Sequence, residues 1–188
     1  EEFVIITNPE FEDLIKKVTT EAFPSLNLKF ATQDEPKGIS HALKQAEVHV
    51  DRDEKILFIL GDNFFEKNPI IDFDFSQYKK GSYIFTKSVN NPQEFGVAQM
   101  NSNGNVVSID EKPIAPKSDL AVVGIYIFDE TVFEKISTLS PSSRGEYEIT
   151  DLCNIYVQEN TCRNFVIDGW WIDAGTPRGD GLDPLPEA

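Results

Sequence analysis

The chain has 188 residues, 40% hydrophobic and 26% charged, with 32 acidic against 17 basic side chains and a net charge of −15. That length buries roughly 70% of the unfolded surface, enough for a real core, while so acidic a chain repels nucleic-acid backbones and argues against a DNA or RNA polymer as partner. No stretch approaches the ~20 apolar residues of a membrane span and no signal peptide opens the sequence, so no membrane partner is expected.

The chain opens abruptly on Phe3-Val4-Ile5-Ile6, a short β run. Pro9 sits where a helix N1 proline would, and Phe11, Leu14, Ile15 and Val18 follow at helical spacing. Leu28 to Ala31 predicts a second strand, and Gly38 opens a helix through about Val50. Ile56 to Leu60 is a continuous apolar run ending at Gly61, the pattern of a strand buried on both faces. Ser82 to Phe85 is a further strand, and Gly96 to Met100 and Val106 to Glu111 flank Asn103-Gly104, a hairpin signal. Ala121 to Phe128 is a long β run, Glu130 to Ile136 and Glu148 to Glu159 read as helices, and Phe165 to Ile167 and Trp170 to Ile172 as late strands. Early alternation of strand and helix implies an α/β fold with a parallel sheet, and the hairpin makes that sheet mixed. Residues 1–176 then form one domain, and 177–188, rich in Gly and Pro, a loose tail. The abrupt first strand suggests a chain cut from something longer.

Cys153 and Cys162 show no CxxC spacing and read as reduced thiols in the cytoplasm, with a disulfide as the alternative. Asp62 follows the most apolar strand, where α/β sheets bind ligands, and can hold Mg²⁺; a turn or N-cap Asp is the plain structural alternative. Asp173 repeats that pattern after Trp170-Trp171-Ile172, and the two acids form a metal pair if they share a sheet edge. Glu111 can accept hydrogen bonds from sugar hydroxyls and Lys112 can meet a phosphate, or the two are an exposed strand-end pair before Pro113. Arg144 can grip a phosphate and Glu146 hydroxyls, or the acids of this segment serve a helix start. Gln33 can pair with a nucleobase edge and Gly38 can admit a ligand to the backbone, or the two belong to a polar turn. His41 and His49 carry no assigned chemistry, and no Ser-His-Asp order, Walker loop or zinc spacing is present.

The order of these motifs is more specific than any one of them. Gln33-x-x-Pro36-x-Gly38-Ile39-x-His41-Ala42, Leu60-Gly61-Asp62-Asn63, Asn91-Pro92-x-x-Phe95-Gly96-Val97 and Glu111-Lys112-Pro113-x-x-Pro116-Lys117-Ser118 come first. Gly124-Ile125-Tyr126, Arg144-Gly145-Glu146-x-Glu148-Ile149-Thr150-Asp151 and Trp171-Ile172-Asp173-x-Gly175-Thr176 follow. From about Phe3 to Thr176 the series closely resembles the sugar-1-phosphate nucleotidyltransferases, and within them the glucose-1-phosphate thymidylyltransferases. The resemblance implies a Rossmann-like α/β nucleotidyltransferase fold with a mixed, mostly parallel sheet flanked by helices. It implies that Gln33 and Gly38 contact thymine, that Asp62 and Asp173 hold Mg²⁺, and that Gly96, Glu111, Tyr126 and Glu146 bind glucose. It further places Lys112 and Arg144 on the sugar phosphate and Trp171 beside the site, with Asp62, Lys112, Arg144 and Asp173 as the catalytic set. The family's glycine-rich G-x-G-T-R-L loop has no counterpart in this sequence, which starts at what resembles the family's second strand.

The reaction so implied joins dTTP and glucose 1-phosphate to give dTDP-glucose and pyrophosphate. Its nucleophile is ionised at neutral pH and needs no general base, in keeping with a sequence of acids and cations at strand ends. UTP or another sugar phosphate as substrate, and a non-catalytic sugar-nucleotide binding module, are the alternatives. A homo-oligomer is compatible with the resemblance.

Overall fold

In the computed structural model, which describes residues 2–71, 73–75, 78 and 80–175, the chain divides into two units. One is formed by the residues up to Glu54 with Glu130–Leu152, the other by Lys55–Asp129 with the described residues from Cys153 onward. Thr176 and the expected tail at 177–188 lie outside the described residues.

In the first unit, β1 (Glu2–Thr7) and β2 (Asn27–Thr32) pair in parallel, joined by α1 (Glu12–Ala22). The helix starts three residues beyond Pro9, because Asn8 first makes a turn whose Oδ1 accepts the Phe11 N–H at 3.0 Å. α2 (Ile39–Gln45) opens after Gly38 and gives way to a 3₁₀ turn at Glu47–His49, so the helix expected through Val50 is split. α3 (Val132–Ile136) packs on α2, with Lys44 Nζ donating to Phe133 O at 3.2 Å and Ser137 Oγ at 2.9 Å. Leu43, Val132 and Phe133 are buried here. The division between the units falls inside α4 (Ile149–Gln158).

Among the described residues, the second unit is built on a six-stranded sheet in the order β7-β6-β8-β5-β9, with β3 also paired to β8. The strands are β3 (Ile56–Ile59), β5 (Ser82–Ser88), β6 (Gly96–Met100), β7 (Val106–Glu111), β8 (Leu120–Phe128) and β9 (Cys162–Val166). β4 (Asn63–Phe65) and β10 (Trp171–Asp173) form a separate antiparallel ribbon. The expected hairpin is present as β6–β7, but its loop is longer than a two-residue turn: Asn101 Oδ1 accepts the N–H groups of Asn103 and Asn105, and Gly104 turns the chain at φ +76°.

The α/β class and the mixed sheet hold, but the balance of directions shifts. Among the described pairings, β1–β2 and β5–β9 are parallel, while every partner of β8 runs antiparallel to it. The strand buried on both faces is β8, in which Ala121 to Phe128 are all buried, and not β3. Leu57 and Ile59 are 38% and 50% exposed, and among the described residues β3 is paired only with β8. A continuous apolar run reports hydrophobicity, not the number of neighbours the strand acquires. On one face of β8, Val123, Ile125 and Ile127 join Phe73, Tyr78, Phe85 and Ile167 in the core. Tyr126 and Phe128 stack on the other face, with Tyr156 beyond. At the strand's end the buried Asp129 accepts the Gly81 N–H at 2.8 Å and the Tyr156 O–H at 3.0 Å, so its carboxylate is not left bare. Both cysteines are free and buried; burial raises the Cys162 thiol to about 11 and the Cys153 thiol well above its usual range. No described helix is long and apolar enough to cross a membrane.

Candidate active site

The β4–β10 ribbon, which the sequence reading missed on the β4 side, decides where the two aspartates go. Asp62 precedes β4, Asp173 ends β10, and the register sets Asp173 against Asn63. The Ala174 N–H donates to Asp62 O at 2.9 Å and extends the pairing by a step. Asp62 Oδ2 and Asp173 Oδ1 meet over Gly175: a Cβ there would press on the first and lie 3.3 Å from the second. A glycine is therefore what lets the two carboxylates approach. Gly175 also donates its N–H to Asp173 Oδ1 at 2.8 Å. These oxygens are hard donors, the kind that suits a divalent cation sharing its shell with phosphate. Among the described residues no third His, Cys, Asp or Glu joins a metal-holding group.

Beside this pair, Gly96 and Glu111 are cross-strand partners at the open end of the β6–β7 hairpin. Lys112 follows at φ +41°, left-handed for a non-glycine residue, with its N–H on Phe95 O at 3.0 Å. Backbone strain of this kind costs about 1–3 kcal/mol and gathers at functional sites. Tyr126 is buried, and its phenol is pushed well above its usual value, first by burial, then by the charges of Cys153, Glu111 and Asp173. It is a protonated donor within electrostatic reach of two candidate ligand carboxylates. Trp171 lies against Phe95, ring centroids 5.0 Å apart, and its indole N–H donates to Asn63 Oδ1 at 2.7 Å. The second unit thus carries Asp62, Gly96, Glu111, Lys112, Tyr126, Trp171 and Asp173.

Gln33, Gly38, Arg144 and Glu146 belong to the first unit, where two distant stretches of chain are tied together. Tyr147 donates its N–H to Lys37 O at 2.7 Å, Ser40 N–H donates to Tyr147 O at 3.1 Å, and Ser40 Oγ donates to Glu148 O at 3.0 Å. Gly38 adopts φ +98°, and a Cβ on it would stand 2.7 Å from Tyr147 O. What approaches this glycine from the Cβ side is the protein's own backbone. Gln33 Nε2 donates to Gly38 O at 3.1 Å and to His41 Nδ1 at 3.0 Å, and its carbonyl oxygen makes no hydrogen bond among the described residues. Arg144 is held by Glu148 through two parallel bonds, Nε to Oε1 at 3.1 Å and Nη2 to Oε2 at 2.8 Å, with Glu146 Oε2 at 3.5 Å. Glu148 is buried and also accepts from Ser142 Oγ at 2.6 Å.

Glu148 and Asn63 are the partners the sequence reading passed over. The first left no helical signal, because Arg144 and Glu148 both precede α4, which starts at Ile149. The second had only a weak signal, an amide next to Asp62, since nothing local shows which indole it will meet.

The nucleotidyl transferase family model matches residues 1–179. A glucose-1-phosphate thymidylyltransferase of Neisseria meningitidis is 34% identical over 185 residues, 93% of this chain and 62% of that protein. The low-salt glycan biosynthesis nucleotidyltransferase Agl11 of Haloferax volcanii is 36% identical over 155 residues, 81% of this chain and 43% of that one. Among solved structures, a Bacillus anthracis protein described as a glucose-1-phosphate thymidylyltransferase, in complex with a sucrose, superposes with a TM-score of 0.81 at 38% identity, covering 92% of this chain and 70% of that one. A UDP-glucose pyrophosphorylase complexed with UDP-glucose shares the fold at a TM-score of 0.78 and 21% identity. The chain spans 43% to 62% of the length of the curated relatives named here. With the family match running along nearly the whole chain, the protein belongs to the nucleotidyl transferase family.

Proposed function

We propose that this chain carries the substrate-handling residues of a nucleotidyltransferase that converts dTTP and glucose 1-phosphate to dTDP-glucose and pyrophosphate. Relatives named for that activity support the reading, and the meeting of Asp62 and Asp173 over Gly175 is the observation that carries it.

In the reaction a phosphate oxygen of the sugar attacks the α-phosphorus in line. One P–O bond forms, the bond to the departing pyrophosphate breaks, and no proton has to be removed. Asp62 and Asp173 would hold Mg²⁺, which neutralises phosphate charge and orients the phosphates when bound. The Lys112 ammonium meets the sugar phosphate as a point charge. The Arg144 guanidinium offers it the same fork of N–H groups that Glu148 now occupies, exchanging one anion for another. Glu111 and Glu146 accept from sugar hydroxyls, Tyr126 donates its phenolic proton, and Gly96 leaves the strand backbone open. Gln33 accepts the N3–H of the pyrimidine through its carbonyl oxygen, Gly38 presents its backbone to the base, and the Trp171 ring walls the site.

The test is pyrophosphate release from dTTP or UTP with several sugar 1-phosphates, using this chain and Asp173→Asn, with calorimetric binding of dTTP alongside. We expect dTTP with glucose 1-phosphate to be the preferred pair and Asp173→Asn to lower turnover by about 10²-fold or more, the scale of a lost charge-stabilising group. Preference for UTP would overturn the base assignment. Absence of both release and dTTP binding would overturn the function.

A further inference from the structure

We infer that Asn63 is a positioning residue: its side-chain amide, locked in one orientation by Trp171 and by the backbone of Gly124, decides which oxygen of Asp62 faces Asp173. An asparagine amide is nearly symmetric in shape, so its orientation is set by the groups it meets. Here Oδ1 receives two donors, the Gly124 N–H at 3.0 Å and the Trp171 indole N–H at 2.7 Å. Turning the amide over would set both donors against an NH₂ group. Nδ2 is therefore held toward Asp62, and it donates to Asp62 Oδ1 at 2.8 Å. Asp62 Oδ2 is the oxygen left to face Gly175 and Asp173.

The lock is anchored in the core. Trp171 packs against the apolar cluster of Phe85, Val123, Ile125 and Ile127, and Gly124 lies between two of those residues on the fully buried strand. Gly124 also makes room, since a Cβ there would stand 2.8 Å from the Asn63 amide atoms. A continuous series of fixed contacts thus runs from the core through Trp171 and Asn63 to one named oxygen of Asp62. Partners that orient a metal-holding carboxylate in this way typically change metal affinity by about 10–100-fold when removed.

The inference rests on the reading that Asp62 and Asp173 hold a divalent cation, and the experiment separates the two. Mn²⁺ binding is measured by electron paramagnetic resonance on the 188-residue chain, and Trp171 emission is measured without metal in a Trp170→Phe background. Asn63→Leu is expected to weaken Mn²⁺ binding by about 10–100-fold and to shift Trp171 emission, with far-ultraviolet circular dichroism unchanged. Gly124→Ala keeps every donor and acceptor while displacing the amide, and it should weaken Mn²⁺ in the same direction should Asn63→Leu not fold. Parent-like Mn²⁺ affinity in these variants, with binding lost in Asp62→Asn, overturns the positioning role and leaves the metal reading standing. So does unchanged Trp171 emission in Asn63→Leu. Mn²⁺ binding that is indifferent to Asp62→Asn overturns the metal reading and the positioning role with it.

Discussion

Replacing Gly38 by alanine should be among the most damaging single-methyl changes in the first unit. The residue sits at φ +98° and ψ 170°, a region only glycine occupies readily, so a side chain there is strained by about 1–3 kcal/mol. The new methyl would also stand 2.7 Å from Tyr147 O, 2.8 Å from Tyr147 N and 3.1 Å from Glu146 Cβ. The first two are backbone atoms, held by the bonds from Tyr147 N–H to Lys37 O and from Ser40 N–H to Tyr147 O. No side-chain rotation relieves that overlap, and overpacking of this kind adds about 1–3 kcal/mol. A central estimate of about 4 kcal/mol lowers the thermal midpoint by about 8–16 °C for a chain of this length. Gly104 supplies the control: its φ is +76°, but a Cβ would meet nothing within 4 Å. Gly104→Ala therefore carries backbone strain alone, about 1–2 kcal/mol, and a fall of about 2–8 °C. Thermal unfolding of both variants by calorimetry checks the comparison. Equal falls would refute the claim that Gly38 is required by its contact with Tyr147.

Arg144→Ala should lower stability by about 1.5–2 kcal/mol, because it removes both bonds of the guanidinium fork from the buried Glu148; urea unfolding checks it, and an unchanged midpoint would show the pair to be energetically idle. Tyr156→Phe removes one of the donors that satisfy Asp129 and should destabilise by about 1–3 kcal/mol in the same assay, with no effect on Mn²⁺ binding. For Cys162 the folded thiol is raised from 9.0 to about 11, so the unfolded chain loses this proton first and stability falls as pH rises through that window. Between pH 8 and 10 this group should account for about 1 kcal/mol of lost stability, and Cys162→Ala should flatten the urea-midpoint profile there by that amount.

Much of the fold was legible in short-range pattern. A long apolar β run marked β8, Asn103-Gly104 marked the hairpin, and the spacing of Leu14, Ile15 and Val18 marked α1. The order of small motifs carried the family resemblance, because residues that surround one ligand keep their sequence order even when each alone is an ordinary turn or strand end. Other features left no local trace. β4 is three residues long and exists through its pairing with β10, so no run of alternation announces it. Glu148 looked like an acid at a helix start, yet its burial and its grip on Arg144 follow from the fold of residues 142–148. The residue types at the strand ends were written in the sequence, and with them the chemistry this chain can offer. That Asp62 and Asp173 share one glycine, that Asn63 turns its oxygen to Trp171, and that β8 rather than β3 is enclosed were settled only when the strands paired, because register and neighbour count belong to the assembled sheet and not to any stretch of chain.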